Sequence, residues 1–153
     1  MNKFSNFILI FLVFFLLSCS YKPILNQETY KFSVNVEDVN GDNQINSILI
    51  NKFNSLKNNK NNYDLSLFSS KEKRTISKDS KGDPAIFELL IVVKYTVKSN
   101  GKIVLEKNIS KISSYNNISD KFELENYEKT IIKNLSKGIS ENIISSISEL
   151  NEW

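Results

Sequence analysis

Residues 85–115 read AIFELLIVVKYTVKSNGKIVLEKNISKISSY, and they contain the strongest strand pattern of the chain. From 85 to 99, apolar residues recur at every second position, which is the pattern of a β-strand with one buried face. That face carries Phe87, Leu89, Ile91, Val93, Tyr95 and Val97. The first half of the opposite face is apolar as well, through Ile86, Leu90 and Val92. An ordinary buried strand and a strand covered by a binding partner both fit this two-faced pattern.

Asn100 and Gly101 turn this strand back into a second one, because Asn-Gly readily adopts the positive φ angles of a hairpin turn. A two-residue loop would place Tyr95 opposite Glu106 and mix polar and apolar side chains on one face. A three-residue loop, with Gly101 in the left-handed conformation as a bulge, places apolar residues opposite each other. We expect this second register, which pairs Val97 with Ile103, Tyr95 with Leu105 and Ile91 with Ile109.

Weaker periodic patterns surround the hairpin. Apolar residues alternate from Tyr30 and again from Tyr63, and Asp120 with Glu123 resembles a capping box that opens a long amphipathic helix. The predicted elements are strand 30–39, helix 45–56, strand 63–74, strand 85–99, strand 102–115 and helix 120–150. Both helices need an apolar surface to cover, so we predict a two-layer α+β fold. It has a four-stranded mixed sheet and two helices, in the order strand-helix-strand-strand-strand-helix.

The N-terminus carries a targeting signal. Lys3 precedes eleven apolar residues, 7–17, which span roughly 16 Å as a helix and cannot cross about 30 Å of hydrocarbon. A signal peptide is therefore favoured over a short permanent anchor. The sequence LLSC that ends at Cys19 resembles the bacterial lipobox, in which the cysteine receives diacylglycerol.

These signals divide the chain into three parts. We predict a lipoprotein signal peptide over 1–18, a lipidated tether over 19–29 and a single periplasmic α+β domain over 30–153. The acyl chains at Cys19 would hold the protein at the membrane, since each buried CH₂ contributes about 0.8 kcal/mol. Ser20 follows the cysteine where an Asp would retain many lipoproteins at the inner membrane, so we expect sorting to the outer membrane.

The composition excludes most enzyme chemistry. The chain has no histidine and one cysteine, which excludes an internal disulfide, a His/Cys zinc or haem site and an imidazole relay. Its four glycines are scattered and make no phosphate-binding loop. We expect no enzymatic activity, no metal and no cofactor. A net charge of +3 on a chain of mixed sign also predicts no nucleic-acid partner.

Five cations cluster at and after the end of the second predicted strand. They are Lys71, Lys73, Arg74, Lys78 and Lys81, and only Glu72 and Asp79 oppose them. One interpretation is a solvated loop. The other is a contact for an anionic head group, because cations on a loop bind phosphate and carboxylate groups.

Two short motifs resemble a known family. Residues 19–24, CSYKPI, are similar to the start of the alphaproteobacterial-type LPS-assembly lipoproteins, the LptE family: cysteine, small, aromatic, basic, proline, aliphatic. Residues 113–116, SSYN, followed by Phe122, Tyr127 and the long helix, resemble the same family. The helix departs from the family in having Ile, Ser, Asn and Lys where Ala and Arg are usual.

The resemblance implies a function without catalysis. Members of the family are anchored in the outer membrane, face the periplasm and sit inside the barrel LptD, with which they insert lipopolysaccharide into the outer leaflet. It therefore implies two partners besides the membrane, LptD and lipopolysaccharide. Two alternatives come from other classes: an auxiliary lipoprotein of an inner-membrane lipid ABC transporter, and a secreted hydrolase with an unrecognised site.

Overall fold

A computed structural model describes residues 30–56 and 61–150. Its elements are β1 (Ser33–Gly41), α1 (Asn43–Asn54), β2 (Asn62–Lys78), β3 (Pro84–Ser99), β4 (Lys102–Asn116) and α2 (Lys121–Glu149). The strands form one sheet in the order β1-β2-β3-β4. β1 and β2 are parallel, and the other two pairs are antiparallel. The predicted α+β class and element order are confirmed. The predicted signal peptide, Cys19 and the tether lie outside the described residues.

Both helices cover the same face of the sheet. The face of β3 that the sequence predicts to be buried is buried along most of its length. Fully buried side chains of both helices meet it: Ile45, Leu49 and Phe53 from α1, and Ile139, Ile143 and Ile147 from α2. Burying each such side chain stabilises the fold by roughly 1.5–3 kcal/mol. Neither helix in the described chain has the length and hydropathy of a membrane span.

Each helix begins at an aspartate that caps its first backbone amides. The Asp42 carboxylate accepts hydrogen bonds from the N–H groups of Gln44 and Ile45, at 3.0 and 3.1 Å. Asp120 does the same for the first turn of α2. These bonds satisfy donors that have no partner inside the helix. The first residue of each helix is therefore determined by the capping aspartate that precedes it.

Gly41 makes the turn from β1 into α1. Its φ is +103°, a conformation that favours glycine. An ideal Cβ at this position would lie 1.8 Å from the carbonyl oxygen of Ser69. The next amide, of Asp42, donates to that oxygen at 3.1 Å, and the buried Ser69 hydroxyl donates to Asn46 at 2.7 Å. The junction therefore joins β1, α1 and β2 through backbone contact.

The predicted hairpin register is wrong. The turn has two residues, Asn100 and Gly101, at φ 52° and 75°, and Val104 is an extra residue that bulges out of β4. The three predicted pairs do not form. The observed pairs include Val97 with Leu105, Tyr95 with Lys107, Val93 with Ile109, Ile91 with Lys111 and Phe87 with Tyr115.

Two effects explain this register. A two-residue turn with positive φ at both positions matches the twist of the flanking strands. The bulge then shifts β4 by one residue, which returns Leu105 and Ile109 to the helix-covered face. A two-residue loop and apolar pairing are therefore compatible once one strand carries a bulge.

β2 is longer than predicted and runs to Lys78. The Lys-Glu-Lys-Arg run has low strand propensity, but pairing with β3 holds it extended. Because β1 ends opposite Ser69, residues 70–78 of β2 pair with β3 alone. Four of the five clustered cations, Lys71, Lys73, Arg74 and Lys78, are therefore on a strand.

Candidate functional site

The C-terminal half of β2, residues 70–78, carries four of the five cations that the sequence suggests as anion contacts. β1 and α1 do not extend beside it, so the side chains from 70 to 76 are exposed. Lys81 lies in the turn that follows, where the Asp79 carboxylate accepts the N–H groups of Lys81 and Asp83, each at 2.9 Å. The structure therefore brings the five cations to one end of the sheet.

Three of these cations are neutralised by carboxylates of the same chain. Lys71 Nζ lies 3.0 Å from the Asp42 carboxylate. Arg74 Nη2 lies 2.5 Å from Glu88 on β3. Lys73 pairs with Glu128 on α2. Lys78 and Lys81 are exposed and form no ion pair within residues 30–56 and 61–150. They are the two candidates that keep an unpaired ammonium group for an external anion.

The Lys71 pair acts on the cap of α1. Burial alone would raise the pKa of the Asp42 carboxyl. The hydrogen bond from Ile45, the Lys71 ammonium and the hydrogen bond from Gln44 outweigh burial and hold this pKa below its usual value. Asp42 is thus charged at neutral pH and serves both the helix N-terminus and Lys71.

An aromatic cluster surrounds the Lys73 pair. The Tyr115 hydroxyl donates to Glu128 at 2.8 Å, and Lys73 Nζ lies 4.1 Å from the centroid of the Phe87 ring. The Tyr115 ring contacts Phe87 and Tyr127, with centroids 5.7 and 6.0 Å apart. These contacts join β2, β3, β4 and α2, so the cluster clamps the helix onto the sheet.

The ionisation of Tyr115 fits a structural role. Burial, with the hydrogen bond and the charge of Glu128, raises the pKa of the Tyr115 hydroxyl far above its ordinary value of 10. The hydroxyl therefore stays protonated and keeps the proton that it donates to Glu128. Tyr115 and Tyr127 are recognisable in the sequence through the motif that resembles a known family, whereas the pairing of Lys73 with Glu128 is not, because 55 positions separate the two residues. In addition, the described residues contain no group of three His, Cys, Asp or Glu side chains that could hold a metal.

The second candidate surface is the face of the sheet on which neither helix of the described residues lies. Leu90 and Val92 of β3 lie on this face and are half-buried by their neighbours. Phe68 of β2 and Ile112 of β4 extend the apolar area and are 48% and 54% exposed. Ion pairs border it, including Lys98 with Glu37 at 3.5 Å. The two-faced pattern of β3 thus corresponds to one helix-covered face and one open face.

Comparison with known proteins identifies the fold. No protein-family model and no curated protein matches the sequence. Among solved structures, rare lipoprotein B from Shewanella oneidensis is similar, with TM-score 0.55 and 18% identity over 76% of this chain and 99% of that one. A lipoprotein B from Nitrosomonas europaea has TM-score 0.57 and 15% identity over 80% and 88% of the two chains. A minor lipoprotein from Acinetobacter baumannii has TM-score 0.51 and 14% identity over 76% and 92%. At these identities the likeness establishes a shared fold.

Proposed function

We propose that this protein is an outer-membrane lipoprotein that plugs and assembles the barrel LptD and assists lipopolysaccharide transport to the cell surface. The observation that carries the proposal is a sheet that the two helices of residues 30–56 and 61–150 cover on one face only, in a fold shared with solved lipoproteins. A domain of this shape has an open face for a second protein. The resemblance of residues 19–24 and 113–116 to the LptE family supports LptD as that protein.

Cys19 is the proposed lipid attachment site. It is the only cysteine of the chain and ends an apolar segment of signal-peptide length. A lipid anchor would hold the domain on the periplasmic side of the outer membrane. In this arrangement the protein needs no membrane-spanning segment of its own to remain beside its partner.

The open sheet face is the proposed contact with the barrel wall. Phe68, Leu90, Val92 and Ile112 provide apolar area, while serine and asparagine side chains of β4 lie between them. The inner wall of an outer-membrane barrel is polar, which suits the serine and asparagine side chains of this face. Apolar area of this kind, once covered, contributes about 25 cal/mol per Å² to association before ordering costs.

Lys78 and Lys81 are the proposed contacts for the anionic groups of lipopolysaccharide. Ion pairing leaves Lys71, Lys73 and Arg74 less able to bind an external anion, because each would have to leave its carboxylate. Replacing Lys78 and Lys81 by serine should weaken lipopolysaccharide binding severalfold. The matched control is Lys133→Ser, an exposed lysine on α2 at a distance from this end of the sheet.

Affinity purification tests the proposal. A C-terminally tagged full-length chain is extracted with detergent from native envelopes, and bound proteins are identified by mass spectrometry. We expect one large outer-membrane barrel at a ratio of about one to one, and its loss when Cys19→Ala is purified in parallel. Recovery of inner-membrane transporter subunits would support the auxiliary-lipoprotein alternative, and recovery of neither would refute the barrel proposal.

A further inference from the structure

The strand β4 forms one edge of the sheet and carries exposed apolar side chains and, within the described residues, unpaired charged ones. Among the described residues no strand pairs with its outer side. Three of the most exposed large apolar side chains lie on it, Ile103 at 61%, Val104 at 42% and Ile112 at 54%. Its charged residues also form no ion pair in the described chain, in contrast to Lys71, Lys73 and Arg74 of β2. An edge strand presents unpaired backbone N–H and C=O groups to which another strand can pair.

We propose that, in the absence of other proteins, two copies of this chain pair through β4. The two strands run antiparallel about a twofold axis at Asn108, so that the two sheets form one continuous sheet. An antiparallel pair of identical strands is self-complementary, because the same residues supply both sides. The proposal concerns the free chain and goes beyond the proposed function.

The sequence of β4 supports pairing centred on Asn108. Opposite residues must lie on the same face of the sheet, which places the twofold axis at a residue. Centring on Asn108 brings each exposed Val104 opposite the partner copy's exposed Ile112, twice in the dimer. The remaining opposite pairs are Leu105 with Lys111, Glu106 with Ser110 and Lys107 with Ile109. No like charges oppose each other.

Neighbouring registers are less favourable, because Lys107 and Lys111 both point to the helix-covered face. Centring on either lysine places it opposite its own copy, and centring on Ile109 places Lys107 opposite Lys111. Centring on Ser110 leaves Ile112 opposite Asn108. Lysines that point towards the covered face are known to protect sheet edges from pairing. Here Lys107 and Lys111 make the registers centred on Lys107, Ile109 and Lys111 unfavourable.

Two further registers fail for other reasons. Centring on Glu106 places that carboxylate opposite itself. Centring on Ile112 requires Ile109 to pair with Tyr115, whose ring is buried in the cluster with Glu128. The Asn108 register therefore alone covers Val104 and Ile112 together without opposing like charges.

The geometry of Lys111 fits the Asn108 register. Its stem lies against α2 at Gly138, where an ideal Cβ would be 3.0 Å from Lys111 Cε. The ammonium group of Lys111 is thus directed towards α2. The part of its aliphatic side chain that does not touch the helix can contact Leu105 of the second copy. The bulge at Val104 marks where pairing would end, so the regular paired segment runs over residues 104–112.

Disulfide trapping tests the register on the full-length chain purified alone in detergent. Residues opposite each other across a twofold axis have Cα atoms about 4.5–5.5 Å apart, within disulfide reach. Asn108→Cys should therefore form a disulfide dimer on mild oxidation. Ser114→Cys on the same strand face should not, and the unmodified chain controls for Cys19. Trapping by Ile112→Cys instead of Asn108→Cys would overturn the register.

Oligomeric state tests the dimer without added cysteines. Sedimentation should give twice the chain mass, and Ile112→Lys should raise the dimer dissociation constant at least tenfold. Ile103→Lys is the matched control, because this residue is equally exposed but lies outside the paired segment. Circular dichroism verifies that both variants fold. A monomer at all concentrations would refute the proposal and leave the envelope purification result unaffected.

Discussion

Gly41→Ala tests whether the junction of β1, α1 and β2 depends on close backbone approach. An alanine Cβ would lie 1.8 Å from the Ser69 carbonyl oxygen and 2.9 Å from the Ser69 nitrogen. Both are backbone atoms, so a rotamer change cannot relieve the contact, and β2 must move away from β1. The positive φ adds about 1–2 kcal/mol of strain. Weakening of the Asp42 bond to Ser69 and of the Ser69 bond to Asn46 adds about 1 kcal/mol each.

We therefore expect Gly41→Ala to lower the free energy of unfolding by about 3–4 kcal/mol, measured by urea denaturation. Gly82→Ala is the matched control, because Gly82 also has positive φ, at +89°, but no atom lies within 4 Å of its Cβ position. It should lose only about 1–2 kcal/mol. If the two variants lose stability equally, the close approach at Ser69 is not what requires glycine, and the reasoning is wrong.

Three further predictions concern Asp42 and Tyr115. Asp42→Ala should lower the free energy of unfolding by about 1–2 kcal/mol, because it removes the cap of α1. Asp42→Asn keeps a capping oxygen and should lower it by at most about 1 kcal/mol. Equal losses in urea denaturation would mean that the charge of Asp42, rather than its capping hydrogen bonds, stabilises the fold. Because the folded-state pKa of Asp42 lies below its ordinary value of 3.8, the carboxylate stabilises the fold above that pH and loses this effect as the pH falls through the folded value. The deficit of Asp42→Asn should thus shrink below about pH 4, and a deficit independent of pH would contradict the assignment. Tyr115→Phe should lower the free energy of unfolding by only about 1 kcal/mol, because it removes the hydrogen bond to Glu128 but leaves the ion pair of Glu128 with Lys73. An unchanged melting temperature would show that the hydroxyl contributes nothing to stability.

The sequence predicted the fold because its elements carry strong local signals. The alternation in β3 identified a central strand, and Asp120 with Glu123 identified the start of α2. Asn100 with Gly101 identified the hairpin turn. Each of these signals depends on residues close together in the chain, which sequence patterns report directly.

The errors arose where distant pairing decides the outcome. The bulge at Val104 has no marker residue, since it results from fitting a two-residue turn to an apolar face. The extension of β2 beyond Arg74 to Lys78 depends on pairing with β3, because residues 75–78 carry no strand pattern of their own. Local signals cannot report either effect.

The sequence predicted where the five cations lie but not which of them are paired with carboxylates. Sequence proximity grouped the five cations correctly at one end of the sheet. Their partners Asp42, Glu88 and Glu128 lie on other elements, and Glu128 is 55 residues from Lys73. A basic run in the sequence therefore gave little information about the unpaired charge on the folded surface.

Depletion of the protein in its native bacterium, followed by fractionation of newly labelled lipopolysaccharide, tests the central claim most directly. If the chain is a subunit of the outer-membrane translocon, labelled lipopolysaccharide should accumulate at the inner membrane and fall at the cell surface, and re-expression of the wild-type chain should restore it. Unchanged surface lipopolysaccharide after depletion, with the barrel still assembled, would contradict the account.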